Sequence, residues 1–199
     1  DSGAQYFDGT TDVTRTLPLG RPNLKIRQTF TRVLQGMIAV SQIRFPKGIT
    51  GRELDPLARA PLWMAGQDYD HGTGHGVGSF LSVHEGPQRI SRMTDVELRE
   101  GMIISNEPGY YDAENYGIRI ENLLVVQPAP MLPNSDPRDM LEFETLTYVP
   151  INKKLIEIKL LTTPEILWLN SYHNMVLMKL APLIDLPTKE WLVKATSPI

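Results

Sequence analysis

One apolar stripe between Asn23 and Arg44 constrains this 199-residue chain more than any other feature. Ile26, Phe30, Val33, Leu34, Met37 and Ile38 recur at the spacing of a helix with one buried face. Phe45-Pro46-Lys47-Gly48 ends it. The segments that follow do not repeat that period. Met102–Glu107 and Gly117–Val126 read as strands, and in the second Ile118 and Ile120 face one side while Arg119 and Glu121 face the other. Leu141–Val149 and Lys154–Leu160 add strand-like pieces. At the start, Ala4–Phe7 and Thr11–Thr16 flank Asp8-Gly9, a turn dipeptide because glycine accepts positive φ. Helices mixed with antiparallel hairpins define an α+β chain.

Four further helices are expected. Thr50 and Glu53 form a capping box ahead of Leu54, Leu57, Ala58, Leu62 and Trp63, with a stop at Gly66. Pro56 and Pro61 would cost that helix hydrogen bonds unless it bends or breaks. Thr94–Glu100 repeats the Thr-x-x-Glu start and stops at Gly101, so it reads as a short helix. Thr163-Pro164 opens a long one, with threonine as cap and proline at the first helical position, and a shorter helix follows from Thr188. Residues 128–139 hold four prolines and read as a surface loop.

Composition excludes some chemistry. With no cysteine there is no disulfide, thiolate zinc site or cysteine nucleophile, and a reducing compartment, the cytoplasm, is the expected one. Net charge is −3, and lysine and arginine are scattered, which argues against nucleic acid or an anionic membrane as partner. No apolar run approaches the ~20 residues needed to span a bilayer. The glycine-rich run His71–Gly78 lacks the lysine and hydroxyl of a phosphate loop.

Composition does not select a site from 23 acidic residues and 4 histidines. Ordered motifs do. Asp1-Ser-Gly-Ala-Gln-Tyr, Thr-Thr-Asp12-Val-Thr-Arg, His71-Gly-Thr-Gly-His75-Gly-Val-Gly, Val-His84-Glu-Gly-Pro, Asn-Glu107-Pro-Gly-Tyr-Tyr and Ile-Arg119-Ile-Glu121-Asn occur in that order. Together they resemble the pita-bread metallopeptidases, and most closely the three-domain Xaa-Pro aminopeptidases. The resemblance implies a curved antiparallel sheet flanked by helices. Residues 1–135 would be the C-terminal portion of the catalytic domain and 136–199 the extension typical of the three-domain type.

The resemblance also implies the roles. Asp1 would bind one divalent ion, His75 and Glu107 the other, with Asp12 and Glu121 bridging. Manganese is the implied metal, and an oxygen-rich ligand set also accepts Zn²⁺ or Co²⁺. A hydroxide held between ions ~3.5 Å apart would attack the bond between an N-terminal residue and a following proline. Glu107 would take a proton from that water. His84 would stabilise the oxyanion, His71 would line the substrate pocket, and Arg119 would steady the carboxylates from outside the metal shell. The expected partners are proline-containing peptides and a second copy in a homodimer.

In such proteins two domains and the start of the catalytic domain precede the position of Asp1. The chain is therefore expected to be truncated at its N-terminus, with an exposed sheet edge, an uncovered apolar helix face and little activity alone. A prolidase, which cuts only dipeptides, is the nearest enzymatic alternative. A binding module that has lost catalysis is the alternative of another class. His173 reads as a packing residue of the last long helix, and Trp63, Trp168 and Trp191 as core or interface anchors.

Overall fold

The computed structural model describes residues 1–199. β1 (Ala4–Tyr6) and β2 (Gly9–Thr11) form a small hairpin. Its turn is Phe7-Asp8, and Gly9 pairs with Tyr6 without a positive φ, so the turn lies one residue earlier than Asp8-Gly9 suggests. α1 (Leu24–Gln42) starts where the Asn23 side chain accepts the Ile26 N–H at 2.9 Å. β3 (Phe45–Pro46) leads to α2 (Gly51–Trp63), which opens on the Thr50–Glu53 capping box and runs through both prolines unbroken. The two helices cross closely: a Cβ on Gly36 would sit 2.0 Å from the Ala58 carbonyl oxygen, so only glycine fits there.

β4 (Gly74–His75) pairs with β5 (Arg89–Ile90), and β6 (Ile103–Asn106) follows. The segment Thr94–Glu100 is extended rather than helical. Glu97 bridges Thr50, the Leu98 N–H donates to Ile49, and the fully buried Leu98 side chain anchors the segment in the core. Tertiary burial overrides the local capping signal here.

β7 (Gly109–Asp112), β8 (Tyr116–Arg119) and β9 (Asn122–Pro128) come next, so the strand expected over Gly117–Val126 is two strands. β6 pairs with β9 and β7 with β8 in one constant register. The four strands are thus a single long hairpin interrupted at Glu107-Pro108 and Ile120-Glu121. β10 (Met140–Thr145) pairs with β9 and β3, giving an antiparallel sheet of order β3-β10-β9-β6. Beyond it the expected strand at Lys154–Leu160 is two 3-10 turns, Lys153–Leu155 and Ile158–Leu160. Leu155 and Ile156 tuck into the core there.

α3 (Thr163–Leu180) is capped by Thr162 with Glu165, one residue ahead of the expected cap. α4 (Leu186–Ala195) is capped by Asp185. One apolar cluster joins the α1 stripe, Ile118 and Ile120 to Ile151, Leu169, Tyr172, Val176 and Leu192. A second packs α2 on the sheet through Leu54, Ala58, Ile90, Ile104, Leu124 and Phe143. None of the three tryptophans is a core residue. Trp63 and Trp191 are 43% and 58% exposed, and the half-buried Trp168 stacks on Tyr172. His173 is fully buried, and its Nε2 accepts the Ile151 N–H at 3.1 Å.

Candidate metal centre

The interruption in the long hairpin is where the acids meet. The register sets Glu107 opposite Glu121, but neither N–H crosses to the other strand. The Glu107 N–H donates to Thr73 at 2.7 Å and the Glu121 N–H to Thr14 at 3.1 Å. Two flanking segments therefore bond into the gap, one leading to His75 and one from Asp12. Gly74 lets the first come close, since a Cβ would lie 1.9 Å from the Ser105 carbonyl oxygen. The hairpin supplies the other two acids, with Asp1 and Asp12 at its open end, where the Ser2 N–H donates to Val13.

Ligating atoms of Asp1, Asp12 and Glu121 lie within 4.8 Å of one another, as do those of His75, Glu107 and Glu121, and those of Asp12, His75 and His84. The three groups overlap, so all five expected ligands share one small volume. His84 reaches into the same volume, its ring 4.1 Å from the His75 ring.

The electrostatics call for a cation. Burial, then the charges of Glu107 and Asp12, push the Glu121 carboxyl up to about 7. Burial alone would lower the His75 imidazole, but Glu107, the Gly76 carbonyl and Asp12 outweigh it and raise its pKa. Glu107 is lowered because His75 and Ser105 outweigh its burial. His75 Nδ1 lies 2.9 Å from the Gly76 carbonyl oxygen, which fixes its proton there and turns Nε2 inward as a lone pair in the neutral ring. That Nε2 is 3.1 Å from Glu107 Oε1 and 3.4 Å from Asp12 Oδ2, yet makes no hydrogen bond of good geometry. Glu121 Oε1 is also buried without a partner. Inward lone pairs facing carboxylates, with orphaned buried acceptors, fit a pair of divalent ions.

Arg119 reaches Asp1 and donates to the Tyr111 hydroxyl at 3.1 Å and to Thr14 Oγ1 at 3.1 Å. It meets Glu121 only through Thr14, whose hydroxyl donates to Glu121 Oε2 at 2.7 Å. His71 Nε2 sits 2.9 Å from the Tyr111 hydroxyl. Thr14, Ser105 and Tyr111 are supports that motif reading passed over. Each stands inside or beside a quoted motif, and Thr14 shares a strand face with Asp12, which was the available signal. Ser105 accepts the His75 N–H at 2.9 Å and donates to Glu107 Oε1 at 3.0 Å. Asp55 and Arg59 on α2 gave no such signal. They pair at 2.7 Å in the core, and Arg59 holds the Tyr69 and His71 carbonyls at 2.6 and 2.7 Å.

An open cavity of about 640 Å³ is lined by Asp1, His71, His75, His84, Glu107 and Arg119. A larger hollow of about 1030 Å³ lies beside the 128–139 loop, away from the acids. It has no cluster of ligating side chains. The fold and the cavity define a pita-bread metallopeptidase, and the chain belongs to metallopeptidase family M24, which it matches over residues 1–128. Residues 139–199 match the C-terminal region of peptidase M24.

Among relatives, Aminopeptidase P1 of Arabidopsis thaliana is 50% identical over the whole chain, which covers 31% of that protein. Xaa-Pro aminopeptidase 1 of Dictyostelium discoideum is 46% identical, again over the whole chain and 32% of the relative. The chain thus spans about a third of the length of the curated relatives it matches. An X-prolyl aminopeptidase from Caenorhabditis elegans, a cytosolic enzyme with a di-nuclear active site, superposes on the whole chain with a TM-score of 0.92 at 43% identity, over 33% of its own length. A prolidase from Pyrococcus furiosus aligns with 62% of the chain and 36% of its own at a TM-score of 0.56 and 38% identity.

Proposed function

We propose that this chain forms the C-terminal catalytic part of a metal-dependent Xaa-Pro aminopeptidase, which hydrolyses the bond between an N-terminal residue and a following proline. Residues 1–135 belong to the catalytic domain and 136–199 to its extension. The reading is carried by five candidate ligand residues that converge on one small volume, three of them, Asp1, His75 and Glu107, on the wall of an open cavity that His71 and His84 also line.

Asp1 would hold one ion, His75 and Glu107 the other, with Asp12 and Glu121 between them. When bound, the ions supply a hydroxide nucleophile at neutral pH and polarise the scissile carbonyl. Manganese is the metal we favour, with zinc and cobalt the alternatives. Glu107 takes the proton from the attacking water, and Ser105 fixes its Oε1 for that transfer. His84 donates to the developing oxyanion, and His71, held by Tyr111, lines the pocket. Arg119 keeps Asp1 and, through Thr14, Glu121 in place. A tertiary amide offers no N–H, so recognition of the proline relies on shape and on the carbonyls either side.

The likeness to the Arabidopsis, Dictyostelium and Caenorhabditis aminopeptidases runs over the whole chain, residues 139–199 included, whereas the likeness to the Pyrococcus furiosus prolidase covers 62% of it, which supports the branch to which those three belong. The cytosolic Caenorhabditis relative supports a cytoplasmic location. No helix is long and apolar enough to cross a membrane. Tyr6, Phe7, Leu17 and Leu19 near the hairpin, and Met178, Leu183 and Trp191 on the last two helices, are exposed apolar groups. They suit contacts with preceding domains and with a second copy in a homodimer, and they support weak activity of these 199 residues alone.

The test is Mn²⁺ titration of the complete encoded protein with Arg-Pro-Pro and with an Xaa-Pro dipeptide. Metal-dependent cleavage of the tripeptide is expected. Cleavage of the dipeptide alone would make it a prolidase, and tight metal binding without turnover a binding module. Robust turnover by the 199 residues alone would overturn the claim about the isolated chain.

A further inference from the structure

Arg15 lies three residues beyond Asp12, and no carboxylate hydrogen-bonds to it. Every acceptor around its guanidinium is neutral. Nη1 donates to the Thr14 carbonyl at 2.8 Å and to the Glu121 carbonyl at 2.5 Å. Nη2 donates to Asn122 Oδ1 at 2.6 Å, the Val149 carbonyl at 2.8 Å and the Tyr172 hydroxyl at 2.8 Å. Nε faces the Val149 and Pro150 carbonyls at 3.2 and 3.3 Å. Burial pulls the guanidinium pKa below its ordinary value, so the charge is costly where it stands. A planar fork with five donors can tie three backbone segments at one point, which an apolar side chain of the same size cannot do.

The segments it ties are informative. Two of them carry the acids: Thr14 follows Asp12 and donates to Glu121 Oε2, and the Glu121 carbonyl is itself an acceptor. The third, Thr147–Pro150, belongs to the C-terminal region. Tyr172 on α3, 3% exposed, fastens it by contacting the Thr147 carbonyl at 3.1 Å and the Val149 carbonyl at 2.8 Å. The same hydroxyl is 3.4 Å from Asn122 Oδ1. No residue of 139–199 lines the 640 Å³ cavity.

We infer that the C-terminal region takes part in the reaction at a distance, with Arg15 and Tyr172 as positioning residues that hold the backbone beneath Asp12 and Glu121 in the geometry both ions need. The inference rests on the metal-centre reading above. Burying α3 against α1 needs only its apolar side chains. The Tyr172 hydroxyl and the unpaired Arg15 charge are surplus to that packing. Arg15 bonds directly to the segments that carry the acids, and the Tyr172 hydroxyl joins them through Arg15 Nη2 at 2.8 Å and Asn122 Oδ1 at 3.4 Å.

The experiment compares Tyr172→Phe, Arg15→Lys and, as a destabilised control, Leu192→Ala in the complete encoded protein. Mn²⁺ affinity is measured by calorimetry, kcat and KM on Arg-Pro-Pro, and Tm on the metal-free protein. Tyr172→Phe is expected to weaken Mn²⁺ binding roughly tenfold, the effect typical of groups that orient ligands, and to lower kcat with KM within about twofold. Arg15→Lys gives a larger loss because an ammonium cannot serve the fork. Leu192→Ala lowers Tm with Mn²⁺ affinity unchanged. If Tyr172→Phe lowers Tm like the control and leaves affinity and kcat unchanged, the network is structural only and the inference falls. Failure of the parent protein to bind Mn²⁺ would instead sink the metal-centre reading itself.

Discussion

Replacing Asp55 with asparagine removes one charge from the core and reaches the candidate metal centre without touching it. Asp55 is fully buried. Its Oδ2 accepts Arg59 Nε at 2.7 Å, and its Oδ1 accepts the Thr73 hydroxyl at 2.7 Å and Arg59 Nη2 at 3.2 Å. Asparagine keeps one acceptor and sets an amide donor against a donor. Removing one partner of a buried pair costs about 3–5 kcal/mol. The low end applies, because Arg59 keeps Asp68 at 2.8 Å and the Tyr69 ring at 3.9 Å.

About 3 kcal/mol corresponds to a fall in Tm of about 6–12 °C for a domain of this size. Thermal unfolding of the metal-free protein at pH 7, followed by circular dichroism, measures it. The companion variants are Asp55→Leu and Arg59→Met, each alone, and the double variant Asp55→Leu/Arg59→Met, which should lose less than the sum of those two single changes. A Tm within about 2 °C of the parent for Asp55→Asn, or strict additivity in the double variant, would refute the coupling. Mn²⁺ affinity should fall too. Arg59 holds the His71 carbonyl, and the Thr73 carbonyl receives the Glu107 N–H.

Glu107→Gln is expected to lower kcat about 10²- to 10⁴-fold on Arg-Pro-Pro with saturating Mn²⁺, and more than a tenth of parental turnover would dismiss Glu107 as the proton acceptor. Ser105→Ala should weaken Mn²⁺ binding roughly 10- to 100-fold by freeing both His75 and Glu107, and calorimetric titration reads this directly. His173 is pushed down to about 4 by burial and by the Lys153 and Arg15 charges. Below its ordinary value of about 6.5 the unfolded chain takes up a proton that the folded one refuses. Stability is then full above about pH 6.5 and declines by about 3 kcal/mol as pH falls toward about 4. Urea midpoints across that range should flatten in His173→Gln, and equal slopes in both proteins would assign the loss elsewhere.

How far the chain could be read depended on whether the deciding interactions were local. α1 and α2 were legible because their stripes and caps lie within one segment, and α2 keeps its course through Pro56 and Pro61 since its apolar face packs on the sheet. Thr94–Glu100 carried the same capping words as α2, yet Leu98 is claimed by the core and its backbone by Ile49. The site followed a similar line. The five candidate ligands and their neighbours in the motifs came from ordered sequence words, and the structure brings them together. The break at Glu121 was not visible, because it arises when Thr14, distant in sequence, takes the Glu121 N–H. The Arg15 fork was equally hidden, since its partners are mostly backbone carbonyls that no side-chain pattern marks, and the Asp55–Arg59 pair has the i,i+4 spacing of ordinary surface pairs, which does not announce its burial.

The first hairpin is a short two-stranded ribbon. Tyr6 and Phe7 at its tip are 62% and 93% exposed, and a ribbon of two strands is marginal on its own. Asp1 and Asp12 stand at its open end, facing Glu121 on the body of the molecule. Ions held among them would rivet the ribbon to the sheet, a cross-link that forms and opens with the free metal concentration rather than with redox state. The amides of Ala4–Thr11 should then exchange with solvent quickly in chelator and slowly in Mn²⁺, while those of α1 barely change. In this architecture the metal would be a fastener as well as a reagent, and scarcity of the ion would loosen the wall of the cavity before it emptied the core.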